Sequence, residues 1–217
     1  MNQSAKKITT YALFCALAFV VVALIRIPLV LFLKFEPKDV VITIGGFLYG
    51  PIATVIISVV VAFVEMITIS SDGVIGFVMN VISAVAFAGT ASIIYKRKST
   101  MTGAAIGLGL GTVLMTVLML LWNYFLAPIF MGFPREDVVK LLVPAFLPFN
   151  LIKGGINAAL TLLLYKPIIS ILRKASVVPD VESIAEEGTA KKTGVIILAL
   201  FVLASCILMV LSLRGII

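Results

Sequence analysis

The stretch Pro148 to Asn157 reads Pro-Phe-Asn-Leu-Ile-Lys-Gly-Gly-Ile-Asn and opens an apolar run that continues to Leu172. Polar groups are expensive in such a run, since an ammonium at a bilayer centre costs about 3 kcal/mol even on insertion scales. On a helix, Asn150, Lys153, Gly154 and Asn157 stand at i, i+3, i+4 and i+7 and share one face. If Lys153 pairs with a group on another helix or snorkels to an interface, the stripe is structural. If it lines a ligand cavity, the two glycines let a ligand or a helix come close, and this is the sharper expectation.

Other chemistry is bounded by what the chain lacks. Histidine is absent, which removes His-based metal sites, Ser-His-Asp triads and imidazole bases. No GxxxxGK[ST] cradle is present, so the chain is not expected to hydrolyse ATP itself. The expected spans hold no aspartate and no paired carboxylates, leaving a hydrolase or phosphotransferase without catalytic groups. Cys15 and Cys206 each sit in an apolar run, form no CxxC pair and read as packing residues. We expect no enzyme, no metal centre and no resident cofactor.

The elements that must hold the polar stripe are membrane spans. The 217 residues are 62% hydrophobic with a mean hydropathy of +1.23, well above soluble domains. Several apolar runs are long enough to cross the hydrocarbon as helices, which satisfy their own backbone groups in lipid, so the fold class is all-α and polytopic. The net charge of +7 punctuates the spans as loop lysines do, which speaks against nucleic acid as partner.

The first span runs from Ile8 to Ile25, and apolar residues past the cleavage-like Ala16-Leu17-Ala18 favour a retained span over a signal peptide. Its Ala12 and Ala16, at i and i+4, either pack within the bundle or dock a partner helix. Arg26 to Asp39 is a connection with an apolar centre, in which Pro28 and Pro37 discourage a continuous helix, and Leu29 to Lys38 reads as a lid or re-entrant segment. A short second span, Val40 to Tyr49, stops at Gly50-Pro51 and reverses into a third, Ile52 to Ile69, which carries Glu65. The fourth span is Val74 to Ile94 with Asn80 and Ser83, and the fifth is Met101 to Phe125, ending in Trp122-Asn123-Tyr124-Phe125. A connection from Ala127 to Pro144 precedes the sixth span, Ala145 to Leu172. Domain 1–173 is followed by a polar linker, 174–193, and a final apolar run, Gly194 to Leu213, long enough for an additional span within 194–217.

Basic residues orient these spans. With the N-terminus inside, the cytoplasmic side holds Lys6, Lys7, Lys96, Arg97, Lys98, Lys166, Arg173, Lys174, Lys191 and Lys192; the outer side holds Arg26, Lys34, Lys38, Arg135, Lys140 and Arg214. That asymmetry supports a cytoplasmic N-terminus. Asn80 then lies roughly 9 Å below the outer surface at 1.5 Å per residue. Glu65, Asn123, Asn150, Lys153 and Asn157 also fall in the outer half or near the middle. An outward pocket lined by amides and one ammonium follows, suited to ring imides, carbonyls and sugar-like hydroxyls, with Trp122, Tyr124, Phe125 and Phe149 as stacking surfaces.

Several separated motifs carry a resemblance. Phe35-Glu36-Pro37-Lys38-Asp39-Val40, Ile44-Gly45-Gly46-Phe47-Leu48-Tyr49-Gly50-Pro51, Gly76-Phe77-Val78-Met79-Asn80, Asn123-Tyr124 with Pro128, and Pro148 to Asn157 occur in order within residues 8 to 173. Together they resemble the substrate-binding components of energy-coupling factor (ECF) transporters, specifically the riboflavin-binding members. The resemblance implies a six-helix bundle that binds riboflavin from outside and works with a transmembrane coupling protein and two cytoplasmic ATPase subunits. It implies that Ala12 and Ala16 contact the coupling protein. It also implies that Lys34, Phe35, Asn80, Asn123, Tyr124, Asn150, Lys153 and Asn157 hold the vitamin, with Glu65 either there or structural beside the first loop. The final apolar run departs from the six-helix pattern. A secondary transporter relaying ions through Glu65 and Lys153, and a ligand-free scaffold, are the rival expectations; no inverted repeat supports the former.

Overall fold

The computed structural model describes residues 3–30, 33–132, 134–174 and 189–213. In chain order the elements are α1 (Gln3–Leu24), a hairpin of β1 (Ile27–Val30) and β2 (Leu33–Phe35), α2 (Lys38–Tyr49), α3 (Pro51–Thr68), α4 (Gly73–Ala84), α5 (Thr90–Arg97), α6 (Met101–Met131), α7 (Arg135–Leu141), α8 (Leu147–Lys174) and α9 (Thr189–Leu213). π-helical turns at Val85–Gly89 and Leu142–Phe146 join α4 to α5 and α7 to α8, making each pair one continuous rod.

Six stretches among the described residues are long and apolar enough to cross a membrane: Lys7–Leu24, Pro51–Thr68, Gly73–Arg97, Met101–Phe130, Arg135–Leu172 and Thr189–Ser212. Helix α2 is the exception. Its 12 residues reach only about 18 Å at 1.5 Å each, and its first turn begins inside the bundle, beneath the hairpin. Nine of those residues, Lys38 and Asp39 included, are buried.

The packing follows from side-chain period. In α3, Ala53, Thr54, Ile57, Ser58, Val61, Ala62 and Glu65 form the inward stripe. Ile52, Val55, Ile56, Val59, Val60, Phe63 and Ile67 stay exposed on its apolar outer face, as a lipid-facing helix requires. The Gly50-Pro51 reversal rests on a left-handed Gly50 at φ 88° and on Pro51 at the first position of α3. Close approach of α6 to the α4–α5 rod depends on missing side chains: a Cβ at Gly107 would sit 3.0 Å from the Ala91 carbonyl oxygen, and one at Gly111 would clash with that of Phe87.

Three expectations change. The apolar connection after α1 is an antiparallel hairpin pairing Ile27 with Phe35 and Pro28 with Lys34, so the bundle carries one small sheet; Leu31 and Phe32 lie outside the described residues. The fifth helix does not stop at Phe125 but continues through Pro128 to Met131 and ends where Gly132 takes φ 69°. Proline removes one backbone donor without breaking a helix held by its neighbours, whereas the left-handed glycine does stop it. The connection expected from Ala127 to Pro144 is therefore mostly helical, and α7 and a π turn lead into α8. Of the expected linker and the tail, residues 175–188 and Arg214 lie outside the described residues, while Lys191 and Lys192 already belong to α9.

Candidate functional site

Beneath the hairpin lies a cleft of about 910 Å³, counting its open mouth. Lys153 and Asn150 reach it from α8, Asn123 from α6, and Asn80 and Ser83 from α4; Lys34 and Glu36 reach it from the hairpin side. Three helices and the hairpin thus bring together residues up to 119 positions apart, between Lys34 and Lys153. Phe149, Met79, Met119 and Ala127 supply apolar walls.

The two buried amides in this wall are oriented by their own helices. Asn123 donates from Nδ2 to the Met119 carbonyl at 2.7 Å, and Asn150 donates from Nδ2 to the Phe146 carbonyl at 2.8 Å. A backbone carbonyl only accepts, so the nitrogen must face it and each side-chain carbonyl is left for the cleft. Phe146 closes the π turn that precedes α8, so this irregularity sits directly under the amide it orients. Lys153 supplies the complementary donor. Its Nζ lies 3.4 Å from Ser83 Oγ and 3.5 Å from Asp39 Oδ2, and the residue is 7% exposed. Two fixed acceptors beside one ammonium form a donor–acceptor pattern for a polar-edged, mostly apolar ligand.

Just outside the expected spans, the bundle buries an aspartate and a glutamate beside the cleft. Asp39 lies in the first turn of α2, 1% exposed, and compensates Lys153. Glu36 and Glu65 converge on Lys38, each with an oxygen 2.7 Å from Nζ. Arg26 completes the cluster at 2.7 Å from Glu36 and 3.5 Å from Glu65, and its Nη1 donates to the Ile69 carbonyl. Three cations and three carboxylates, all buried or half-buried, sum to no net charge. Unpaired, each would carry a desolvation penalty of several kcal/mol; paired, they tie the hairpin to α2 and α3. Glu36, in the turn between β2 and α2, shows the balance. Burial alone would raise its carboxyl, but Lys38, Lys153 and Arg26 outweigh burial and hold it down at about 2.

The expected residues therefore divide. Asn80, Asn123, Asn150, Lys153 and the exposed Lys34 line the cleft. Phe35 does not; it is buried beside Ile152 and Ile156 of α8. Tyr124 is also outside the lining, edge-on to Phe125 with the Arg135 guanidinium 5.3 Å from its ring centre. Asn157 lies below the cleft, fully buried, donating to Asp39 Oδ2 at 3.4 Å. Glu65 is fully buried and bonded to Lys38, the structural alternative of its two readings. Sequence reasoning singled out neither Arg26 and Glu36, which line the cleft, nor Lys38 and Asp39, which pair with Glu36 and Lys153 behind it. Their signal was present: Glu65 inside an apolar span requires a cation, and the nearest unassigned charges flank the apolar hairpin.

Fold and site together define a polytopic membrane protein that carries a ligand cleft under a hairpin. Residues 6–165 match the family model described as ECF transporter, substrate-specific component, and the chain belongs to that family. It is 29% identical over 181 residues to the riboflavin transporter RibU of Staphylococcus aureus (strain TCH60), covering 79% of this chain and 95% of that protein. It is 30% identical over 187 residues to the riboflavin transporter FmnP of Bacillus subtilis (strain 168), covering 79% and 98%. A solved structure described as the S component of a bacterial ECF transporter superposes with a TM-score of 0.67 at 28% identity, covering 79% of this chain and 99% of that one. The family is one of transport components and not of enzymes.

Proposed function

We propose that this chain is the riboflavin-capturing subunit of an ECF importer, with the cleft under the hairpin as the vitamin site. The observation that carries the reading is the convergence of Asn80, Asn123, Asn150 and Lys153 in one cleft, in a chain whose relatives are named riboflavin transporters. A flavin ring presents an imide N–H between two carbonyls. The outward-turned amide carbonyls of Asn123 and Asn150 accept from such donors, and the Lys153 ammonium donates to ring oxygens. Lys34 and Glu36 at the hairpin suit the hydroxylated side chain, and Phe149 and the two methionines suit the ring faces.

Transport requires partners. The chain has no nucleotide cradle, so ATP hydrolysis is assigned to two cytoplasmic ATPase subunits acting through a membrane coupling protein. Ala12 and Ala16 are exposed on one face of α1, which supports them as the contact for the coupling protein. The N-terminus is cytoplasmic, the hairpin faces outward, and residues 1–173 form the transport unit. The ion-relay alternative loses its pairing, because Glu65 bonds Lys38 whereas Lys153 faces Ser83 and Asp39.

Flavin fluorescence titration on the purified chain tests the reading. Saturable quenching at one flavin per chain supports it, and quenching that does not saturate overturns it. Ala12→Trp with Ala16→Trp is expected to leave that titration unchanged while abolishing uptake in cells.

A further inference from the structure

Helix α9 lies outside the matched residues 6–165, and nothing in the family reading gives it a task. Its packing is one-sided. Val195, Ala199, Val202, Leu203, Cys206 and Val210 follow helical spacing and face the bundle, while Ile197, Phe201 and Leu208 remain 61%, 68% and 56% exposed. Contact with α8 is close where α8 has no side chain: a Cβ at Gly155 would lie 2.8 Å from Cys206 Sγ.

The outer half of this stripe reaches the hairpin. Leu203, Cys206 and Val210 join a cluster with Phe35 of β2, Leu29 of β1, and Ile152 and Ile156 of α8, and β1 runs against α9. The other seat of the hairpin is formed by Leu33, which packs with Ala127, Val138, Phe146 and Phe149. A two-stranded hairpin is marginal by itself, so its lifetime in the closed position is set by what it packs against. One of its two apolar seats is partly built by α9. The pocket-lining side chains of α8 (Phe149, Asn150 and Lys153) turn to the cleft, so α9 touches the cover of the site and not the site itself. Helix α1 packs with α2 and α3, away from α9, so α9 leaves Ala12 and Ala16 uncovered.

We propose that α9 is an intramolecular brace that holds the hairpin down over the cleft and so slows ligand exchange. The kinetic part rests on the flavin reading above; the mechanical part does not. Hydrogen exchange on the ligand-free full-length protein tests the latter. Val210→Ala and Leu203→Ala are expected to speed exchange of the amides in 27–35 relative to the parent, and Leu208→Ala, on the exposed face, is expected to leave them unchanged. Stopped-flow release of bound riboflavin then tests the former: Val210→Ala and Leu203→Ala speed release about fivefold, as interface losses act mainly on dissociation. Leu29→Ala combined with Val210→Ala speeds release by less than the product of the two single effects, because both act on one contact. Hairpin exchange unchanged in both α9 variants, or single effects on release that multiply, overturns the brace. Accelerated hairpin exchange in a chain that does not bind flavin saturably upholds the brace and overturns the flavin reading alone.

Discussion

Lys153 Nζ lies 3.5 Å from Asp39 Oδ2, joining the long helix α8 to the buried start of α2. The contact resolves the cost of a lysine within a membrane helix: the ammonium is compensated from behind and still presents itself to the cleft. Lys153→Ala is expected to weaken riboflavin binding at least about tenfold, since loss of a buried hydrogen-bonding partner costs on the order of 1–3 kcal/mol. It also strands Asp39, so the double variant Lys153→Ala/Asp39→Asn should melt higher than Lys153→Ala alone while binding no better. Equal melting of the two would show that the pair is not coupled.

Lys38 is the hub of the second cluster, with Glu36 and Glu65 both at 2.7 Å. Lys38→Met leaves two carboxylates with only the half-buried Arg26 as counter-charge and is expected to destabilise the protein by about 3–5 kcal/mol. Arg26→Met should cost less, because the Arg26 side chain is 20% exposed against 2% for Lys38. Thermal unfolding in one detergent, with Lys38→Met melting below Arg26→Met, is the measurement.

Glu36 makes the cluster acid-sensitive. Its carboxyl is held near 2, below the ordinary 4.5, so the folded state binds the proton less readily than the unfolded chain. The stabilisation is therefore full above pH 4.5 and is lost as pH falls towards 2, in total about 3 kcal/mol at 1.36 kcal/mol per unit. Melting temperature of the parent should drop across that window. Glu36→Gln should start lower at neutral pH and fall less across it, and a parallel fall in both proteins would contradict the assignment.

Asn150 and Asn157 share a helix face but hold different positions. Asn150→Ala removes a carbonyl aimed at the cleft and is expected to lower affinity about tenfold with little loss of stability. Asn157, buried on Asp39, acts through Lys153; Asn157→Ala should lower the melting temperature more than Asn150→Ala and affinity less than Lys153→Ala. Paired titrations and melts of the three variants separate these effects.

Much of this protein is legible from local pattern. Apolar run length marks each span, because lipid thickness and helical rise leave no alternative. The stripe Asn150, Lys153 and Asn157 shows which face of α8 turns inward, because polar groups cannot face hydrocarbon. Depth arithmetic brings Asn80, Asn123 and Asn150 to the same half of the membrane. Short-range pattern cannot tell a lining residue from one that supports it: Asn157 is one turn below Lys153 on the same stripe, yet it meets Asp39 and not the cleft. The residues around Leu29, Val30 and Leu33 looked like a loop because β1 and β2 pair only with each other, and two strands this short carry little alternation.

What the sequence determined by itself is the class of the molecule, the order of its spans and the presence of an amide-rich stripe with one ammonium. Each follows from interactions within one helix or between helix and lipid. Only the tertiary structure decided how the charges pair. Arg26, Glu36, Lys38, Asp39, Glu65 and Lys153 come from the hairpin and three different helices, and burial requires each to find a counter-charge across the bundle. The same holds for α9, whose composition reads only as a span. Its contact with the hairpin over the cleft arises from where Gly155 lets Cys206 approach, a relation set by packing between segments distant in the chain.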